Sequence, residues 1–137
     1  MKLCVFSDGG SRGNPGPAAV GVVCYQDKKI VFEFGKLLGE TTNNVAEYTA
    51  VIEGLKRLQK LLESNSGVTQ VLWQLDSKLV VEQLARRWKI KEPHLQQLAT
   101  TCWQALDELK IPCTFVHIPR EKNSYADGLV NTALDAP

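Results

Sequence analysis

Apolar residues follow two different periods along this chain. Leu3-Cys4-Val5-Phe6-Ser7-Asp8 is a mostly apolar run that reads as a buried strand. It is expected to stop at Gly9-Gly10-Ser11-Arg12-Gly13-Asn14-Pro15-Gly16-Pro17, where glycine and proline admit no regular element. Ala18–Tyr25 and Ile30–Leu37 read as two further strands joined at Asp27-Lys28-Lys29, so this part predicts an antiparallel meander.

The period changes after Thr41-Thr42-Asn43-Asn44. Val51, Leu55, Leu58 and Leu62 recur at three- and four-residue steps and predict an amphipathic helix from about Val45 to Leu62. An asparagine before it serves as N-cap, and Ser64-Asn65-Ser66-Gly67 ends it. Val68–Leu75 alternates as a strand with Asp76 at its carboxyl end, and Ser77 opens a helix running to about Trp88. Pro93 suits the first turn of the next helix, which reaches about Leu109. Cys113–Ile118 forms a fifth strand, and a last helix starts near Ser124. Strands reached through helices return to the same sheet in parallel. The expected fold is α/β: a five-stranded mixed sheet, part meander and part parallel, flanked by helices.

Composition sharpens this picture. With 137 residues, of which 44% are hydrophobic, the chain is long enough for one core, so a single domain over 1–137 is expected. No apolar run approaches the ~20 residues of a bilayer span, and Ser7-Asp8-Gly9 interrupts the first stretch too early for a signal peptide. Cys4, Cys24, Cys102 and Cys113 lack C-x-x-C spacing and zinc-ligand histidines, so reduced thiols in a cytoplasmic protein are the expectation. Sixteen basic residues against 15 acidic ones give a net charge of +1. That argues against a bulk polycation but leaves room for a local basic patch.

Four acidic residues stand where carboxylates are unusual. Asp8 ends an apolar strand beside a glycine-rich loop; its alternative role is to start the turn through an Asx hydrogen bond. Glu47 lies on the same helical stripe as Val51, Leu55 and Leu58 and so faces the core, unless it curls back to solvent from the first turn. Asp76 follows a strand, where α/β sheets collect ligands, but could instead cap a helix. Asp127 completes Ser124-Tyr125-Ala126-Asp127, which also has the form of a capping box. A sheet with docked helices can bring all four to one edge. Carboxylates gathered there repel one another unless protonated or neutralised by cations. Hard oxygen ligands favour Mg²⁺, with Mn²⁺ as substitute, and two such ions can serve an in-line phosphoryl displacement. The implied chemistry is phosphodiester hydrolysis.

The residues around these acids resemble type 1 ribonuclease H over essentially the full length. Asp8-Gly9-Gly10-Ser11-Arg12-Gly13-Asn14-Pro15-Gly16 is similar to that family's D-G-x-x-x-G-N-P-G loop, and Thr42-Asn43-Asn44-Val45-Ala46-Glu47 to its T-N-N-x-x-E helix start. Asp76-Ser77 matches a third motif, and Asn123 through Asp127 to Asn131 a closing N-x-x-x-D segment. The resemblance implies a ribonuclease H-like fold and a metal-dependent endonuclease that hydrolyses the RNA strand of RNA/DNA hybrids with two Mg²⁺ ions. It gives catalytic and metal-binding roles to Asp8, Glu47, Asp76 and Asp127. It gives minor-groove contacts to Gly9, Asn14, Asn43 and Asn44, where short amides and a bare backbone can read 2′-hydroxyls. No membrane or obligate protein partner is implied, and a monomer is expected.

Two departures from the family pattern stand out. Many bacterial members carry a basic handle after the third motif. Here only Arg86-Arg87-Trp88-Lys89-Ile90-Lys91 separates two helices, as in compact archaeal-type relatives. That cluster could touch phosphates with Trp88 stacking, or simply place cations at a helix end. The mobile histidine of many members has His117-Ile118-Pro119-Arg120 in its place, with Arg120 the favoured counterpart for product release and His117 pointing elsewhere. His94 reads as a surface helix residue. A catalytically dead binding module and a DNA-directed nuclease of the same superfamily are the competing readings. The four acids disfavour the first; Asn43-Asn44 and the fourth acid disfavour the second.

Overall fold

The computed structural model describes residues 1–136. Alternation in the first strand, β1 (Lys2–Ser11), sends Leu3, Val5 and Ser7 to one sheet face and Phe6, Asp8 and Gly10 to the other. The meander continues through β2 (Gly16–Gln26) and β3 (Lys29–Thr41). There follow α1 (Asn43–Glu63), β4 (Gln70–Leu75), α2 (Lys78–Leu84), α3 (Pro93–Leu109), β5 (Cys113–His117), a 3-10 turn (Arg120–Lys122) and α4 (Ser124–Asp135). The sheet order is β3-β2-β1-β4-β5. The first three strands pair antiparallel, and β1–β4 and β4–β5 pair parallel, as the element order predicted.

β2 starts at Gly16, inside the expected irregular loop, because it pairs there with Thr41 at the end of a β3 longer than expected. Other boundaries also differ, for local reasons. β1 runs on through Gly9 and Gly10 to Ser11, paired with Val20, Ala19 and Ala18, so the first glycines of the loop lie inside the ladder. The N-cap of α1 is Thr42, whose hydroxyl accepts from Val45 N–H at 3.3 Å; the asparagines already sit in the first turn. Helix α2 stops at Leu84, short of Trp88. Ala85 caps it and Arg86 turns left-handed at φ 63°, while Arg87 N–H reaches back to Glu82 O. The basic residues 86–91 therefore lie beyond the helix. Ser124 likewise begins α4 without capping it; Asn123 holds the cap position.

Most of the core lies between one sheet face and α1, α2 and α3. Trp73 is fully buried there, its indole N–H donating to Ser7 Oγ at 2.9 Å. Tyr48 OH donates to Gln83 Oε1 at 2.7 Å and ties α1 to α2. All four cysteines are free, and burial pushes the thiols of Cys24, Cys102 and Cys113 up to about 12. No helix among the described residues is long and apolar enough to cross a membrane.

Helix α4 covers the opposite face, and glycine decides how closely. A Cβ on Gly21, which pairs with Asp8, would meet Ala126 O at 2.4 Å and Leu129 Cβ at 2.8 Å. On the helix itself, a Cβ on Gly128 would meet nothing within 4 Å. The two glycines should therefore respond to alanine with opposite signs. Gly21→Ala is expected to destabilise by ~1–3 kcal/mol through overpacking. Gly128→Ala should stabilise by ~0.5–1 kcal/mol through helix propensity. Urea unfolding of both variants checks this, and the same sign in both would count against the close seat of α4.

Candidate active site

Each acidic residue is delivered by a different element. Asp8 lies in β1, and the β1–β4 register, continued two residues beyond Phe6–Gln74, sets it beside Asp76. Asp76 follows the last residue of β4, and Ser77, not Asp76, caps α2 by accepting from Val80 N–H at 3.3 Å. Glu47 comes from the buried stripe of α1 and is only 7% exposed. Its position depends on Gly9, because a Cβ there would sit 2.2 Å from Ala46 O. With the two backbones this close, Gly9 N–H donates to Glu47 Oε1 at 2.7 Å. Asp127 lies in the first turn of α4, and the seat on Gly21 holds that turn against β2 beside Asp8.

Carboxylate oxygens of Asp8, Glu47 and Asp76 lie within 4.8 Å of one another. Asp127 stands outside that triad, near enough to Asp8 to help raise its pKa. All four line a cleft of about 400 Å³ with Gly9, Asn43, Asn44, Arg12, Arg120 and Asn131. Burial, the charge of Asp76 and contact with Asp127 push the Asp8 carboxyl from its ordinary 3.8 up to about 8, with Arg120 pulling the other way. Glu47 is raised well above the usual carboxylate range by burial and by the charges of Asp8 and Asp76, against the Gly9 N–H that favours its ionised form. An all-oxygen donor set that holds protons for want of countercharge fits a hard divalent cation.

Around the mouth, backbone and amide groups interlock. Asn14 Oδ1 accepts from Asn43 N–H at 3.0 Å, and Asn43 Oδ1 accepts from Ser11 N–H at 3.0 Å and from its hydroxyl at 3.2 Å. With these oxygens engaged, the NH₂ groups are what the exposed Asn14 and Asn43 can still offer a ligand. Asn14 braces the mouth without lining the cleft, which Gly9, Asn43 and Asn44 do line. Arg120 lines the cleft, whereas His117 is exposed and is not among the residues lining it. His94 is exposed in the first turn of α3.

The basic cluster belongs to a separate groove of about 470 Å³ lined by residues such as Gln83, Trp88 and Trp103. Arg86 lies 3.7 Å over the Trp103 ring and Arg87 pairs with Glu82, so two of its cations are already engaged. Arg12 and Asn131 also line the cleft, although no local motif in the sequence gives either one a role. The available signal was the spacing of Asp127, Asn131 and Asp135 at four-residue steps along one helix face.

A sheet of this order, with Asp8 inside β1 beside Asp76 just past the end of β4, defines the ribonuclease H-like class. A family model described as "Reverse transcriptase-like" matches residues 6–133. The chain is 44% identical to a bifunctional protein of Mycobacterium tuberculosis over 99% of its own length and 36% of that protein's. It therefore spans about a third of the mycobacterial relatives it matches. RNase H1 of the halophilic archaeon Halobacterium salinarum superimposes with a TM-score of 0.89 at 37% identity, covering 98% of both chains. LC11-RNase H1, in a crystal structure with an RNA/DNA hybrid, does so with a TM-score of 0.92 at 42% identity, covering 97% of this chain and 96% of that one. The chain belongs to the type 1 ribonuclease H family, in its compact archaeal-like form.

The raised carboxyls have a consequence for stability. Folded, Asp8 keeps its proton up to about pH 8, whereas unfolded it loses it near 3.8. The folded state thus binds more protons across that window, and stability should fall as pH rises through it. In chelator, Asp8→Asn should melt above wild type at pH 7.5 by roughly 2–4 °C or more, equivalent to about 1 kcal/mol. The gap should close towards pH 4. A constant gap from pH 4 to 8 would show that Asp8 is not the titrating group.

Proposed function

We propose that this chain, as one domain over 1–137, is a metal-dependent endonuclease that hydrolyses the RNA strand of RNA/DNA hybrids. The observation that carries this reading is the convergence of Asp8, Glu47 and Asp76 oxygens within 4.8 Å in a cleft whose mouth is lined by amides. Asp8, Glu47, Asp76 and Asp127 are the proposed catalytic and metal-binding residues. Two Mg²⁺ ions, or Mn²⁺ in their place, would supply Lewis-acid stabilisation of the attacking and leaving oxygens. Gly9 N–H orients Glu47. In the reaction a water oxygen forms a bond to phosphorus and a phosphorus–ribose oxygen bond breaks. The water's protons pass to the leaving oxygen and to solvent.

Gly9, Asn14, Asn43 and Asn44 are the proposed contacts along the hybrid's minor groove, donating to 2′-hydroxyls and base-edge acceptors. The hybrid seen with LC11-RNase H1 supports that substrate class. Arg120, at the cleft beside Asp8, is the proposed aid to product release. We place the reaction in the cytoplasm and the protein as a monomer.

A labelled RNA strand should be cut when paired with DNA in Mg²⁺ or Mn²⁺, and left intact in chelator, when unpaired, or with Asp8→Asn. Loss of groups that only support a metal ligand costs 10–100-fold, so removing a ligand should leave below about a hundredth of wild-type activity. Cleavage that persists in chelator or in Asp8→Asn would refute the assignment.

Metal loading can also be read without substrate. The carboxyls of Asp8 and Glu47 are pushed up by burial and mutual repulsion, so millimolar Mg²⁺ should release protons and raise Tm. Calorimetry in two buffers of different ionisation enthalpy counts those protons. A Tm and proton balance indifferent to Mg²⁺ would speak against a carboxylate site ready to exchange protons for cations.

A further inference from the structure

The cleft has an electrostatic difficulty of its own making. Four acids line it, and a nucleic-acid strand brings further negative charge, yet the lining cations are Arg12 and Arg120. Arg120 faces the acids, its charge offsetting part of the rise that burial and Asp76 impose on Asp8. Arg12 is occupied differently. Its Nη1 pairs with Asp135 at 2.6 Å and its Nη2 donates to Asn131 Oδ1 at 3.3 Å. Asn131 Nδ2 in turn donates to Asp127 O at 3.2 Å and to Asp127 Oδ2 at 3.3 Å. Asp127, Asn131 and Asp135 thus form one polar stripe along α4, and Arg12, from the far end of the sequence, lies across its outer half.

We infer that Arg12 is a phosphate-binding residue for the strand entering the cleft, held in reserve by an ion pair with Asp135 that the phosphate displaces. This rests on the reading of the cleft as a hybrid-binding site. Geometry favours a neighbouring phosphate over the scissile one. Asn131 and Asp135 lie about 6 and 12 Å along the helix from Asp127. That corresponds to roughly two to four phosphate steps along a duplex axis. A guanidinium fork suits the exchange, because it binds carboxylate and phosphate in the same planar geometry.

The energetics permit it too. The side chains of Arg12 and Asp135 are 48% and 66% exposed. An ion pair that open is weak, so a phosphate can replace the carboxylate at little cost. Asn131 keeps its hold on the guanidinium through the exchange and links that end of the site to Asp127. Asp135 then sets affinity without touching the chemistry.

The test is a four-protein cycle: wild type, Asp135→Asn, Arg12→Ala and the double variant. Binding of a fluorescently labelled RNA/DNA hybrid is followed by anisotropy in chelator over a series of salt concentrations, with KM and kcat measured separately in Mg²⁺. Asp135→Asn should tighten Kd and lower KM roughly two- to fivefold, the range of an exposed ion pair, with kcat unchanged. Arg12→Ala should weaken binding and flatten the log Kd–log salt slope by roughly 0.7–0.9, one phosphate contact. In the Arg12→Ala background, Asp135→Asn should have no effect.

An Asp135→Asn gain of equal size with and without Arg12 would overturn the inference, since it would reflect only the loss of a nearby negative charge. So would unchanged Kd in Asp135→Asn, an unchanged salt slope in Arg12→Ala, or a wild-type chain that does not bind the hybrid. A chain that binds with the expected pattern but leaves RNA uncut in Mg²⁺ supports the role of Arg12 and refutes only the nuclease reading.

Discussion

The contact between Gly9 and the Ala46–Glu47 backbone sets the rest of the site. A strand and a helix approach so closely that no side chain fits between them, and one N–H turns that proximity into a hold on a carboxylate. Glu47 is thereby fixed at the edge of the sheet in a place where it would otherwise retreat to water. Asp8 lies one residue before Gly9, and the β1–β4 ladder sets Asp76, just past the end of the neighbouring strand, beside it. The opposite face repeats the solution: Gly21 lets α4 settle and brings Asp127 to Asp8. Two glycine seats on two faces of one sheet make a four-acid cleft from elements that are scattered in sequence.

That arrangement opposes its own folding. Desolvated like charges are costly, and that cost appears as the raised pKa of Asp8 and Glu47, whose charged forms burial and mutual repulsion disfavour. The rest of the molecule supplies the reserve. A continuous core under α1, α2 and α3 closes around Trp73, and the polar atoms buried in it, Ser7 Oγ and Gln83 among them, are paired. Stability resides in this core, which the site meets only at its edge, through Glu47 at the start of α1.

The order of elements was legible because each period change in the apolar pattern is local. Glu47 was legible for the same reason: a carboxylate on the Val51–Leu55–Leu58 stripe contradicts its surroundings. The misread places needed tertiary information. Gly9 and Gly10 look like breakers until a helix is known to press on the strand. Arg86 takes a left-handed turn usually signalled by glycine, so nothing in the sequence marked the early end of α2. Thr42 outcompeted the asparagines as cap because only its hydroxyl stands one position outside the first turn. Arg12 and Asp135 are 123 residues apart, and no local pattern joins them.

The three tryptophans occupy three different environments. Trp73 is sealed in the core with its indole hydrogen-bonded to β1 one residue before Asp8. Trp103 donates to Leu84 O beneath the Arg86 guanidinium, and Trp88 is 43% exposed. The intrinsic fluorescence of the protein is therefore a composite of a buried, a cation-covered and a solvated indole. The core indole is mechanically coupled to the strand that carries the site. A change in emission without a change in Trp88 quenching by a soluble quencher would thus locate an event at Trp73 or Trp103, while a change in quenching alone would locate it at the exposed indole. The fold carries its own two-channel optical probe, with no label attached.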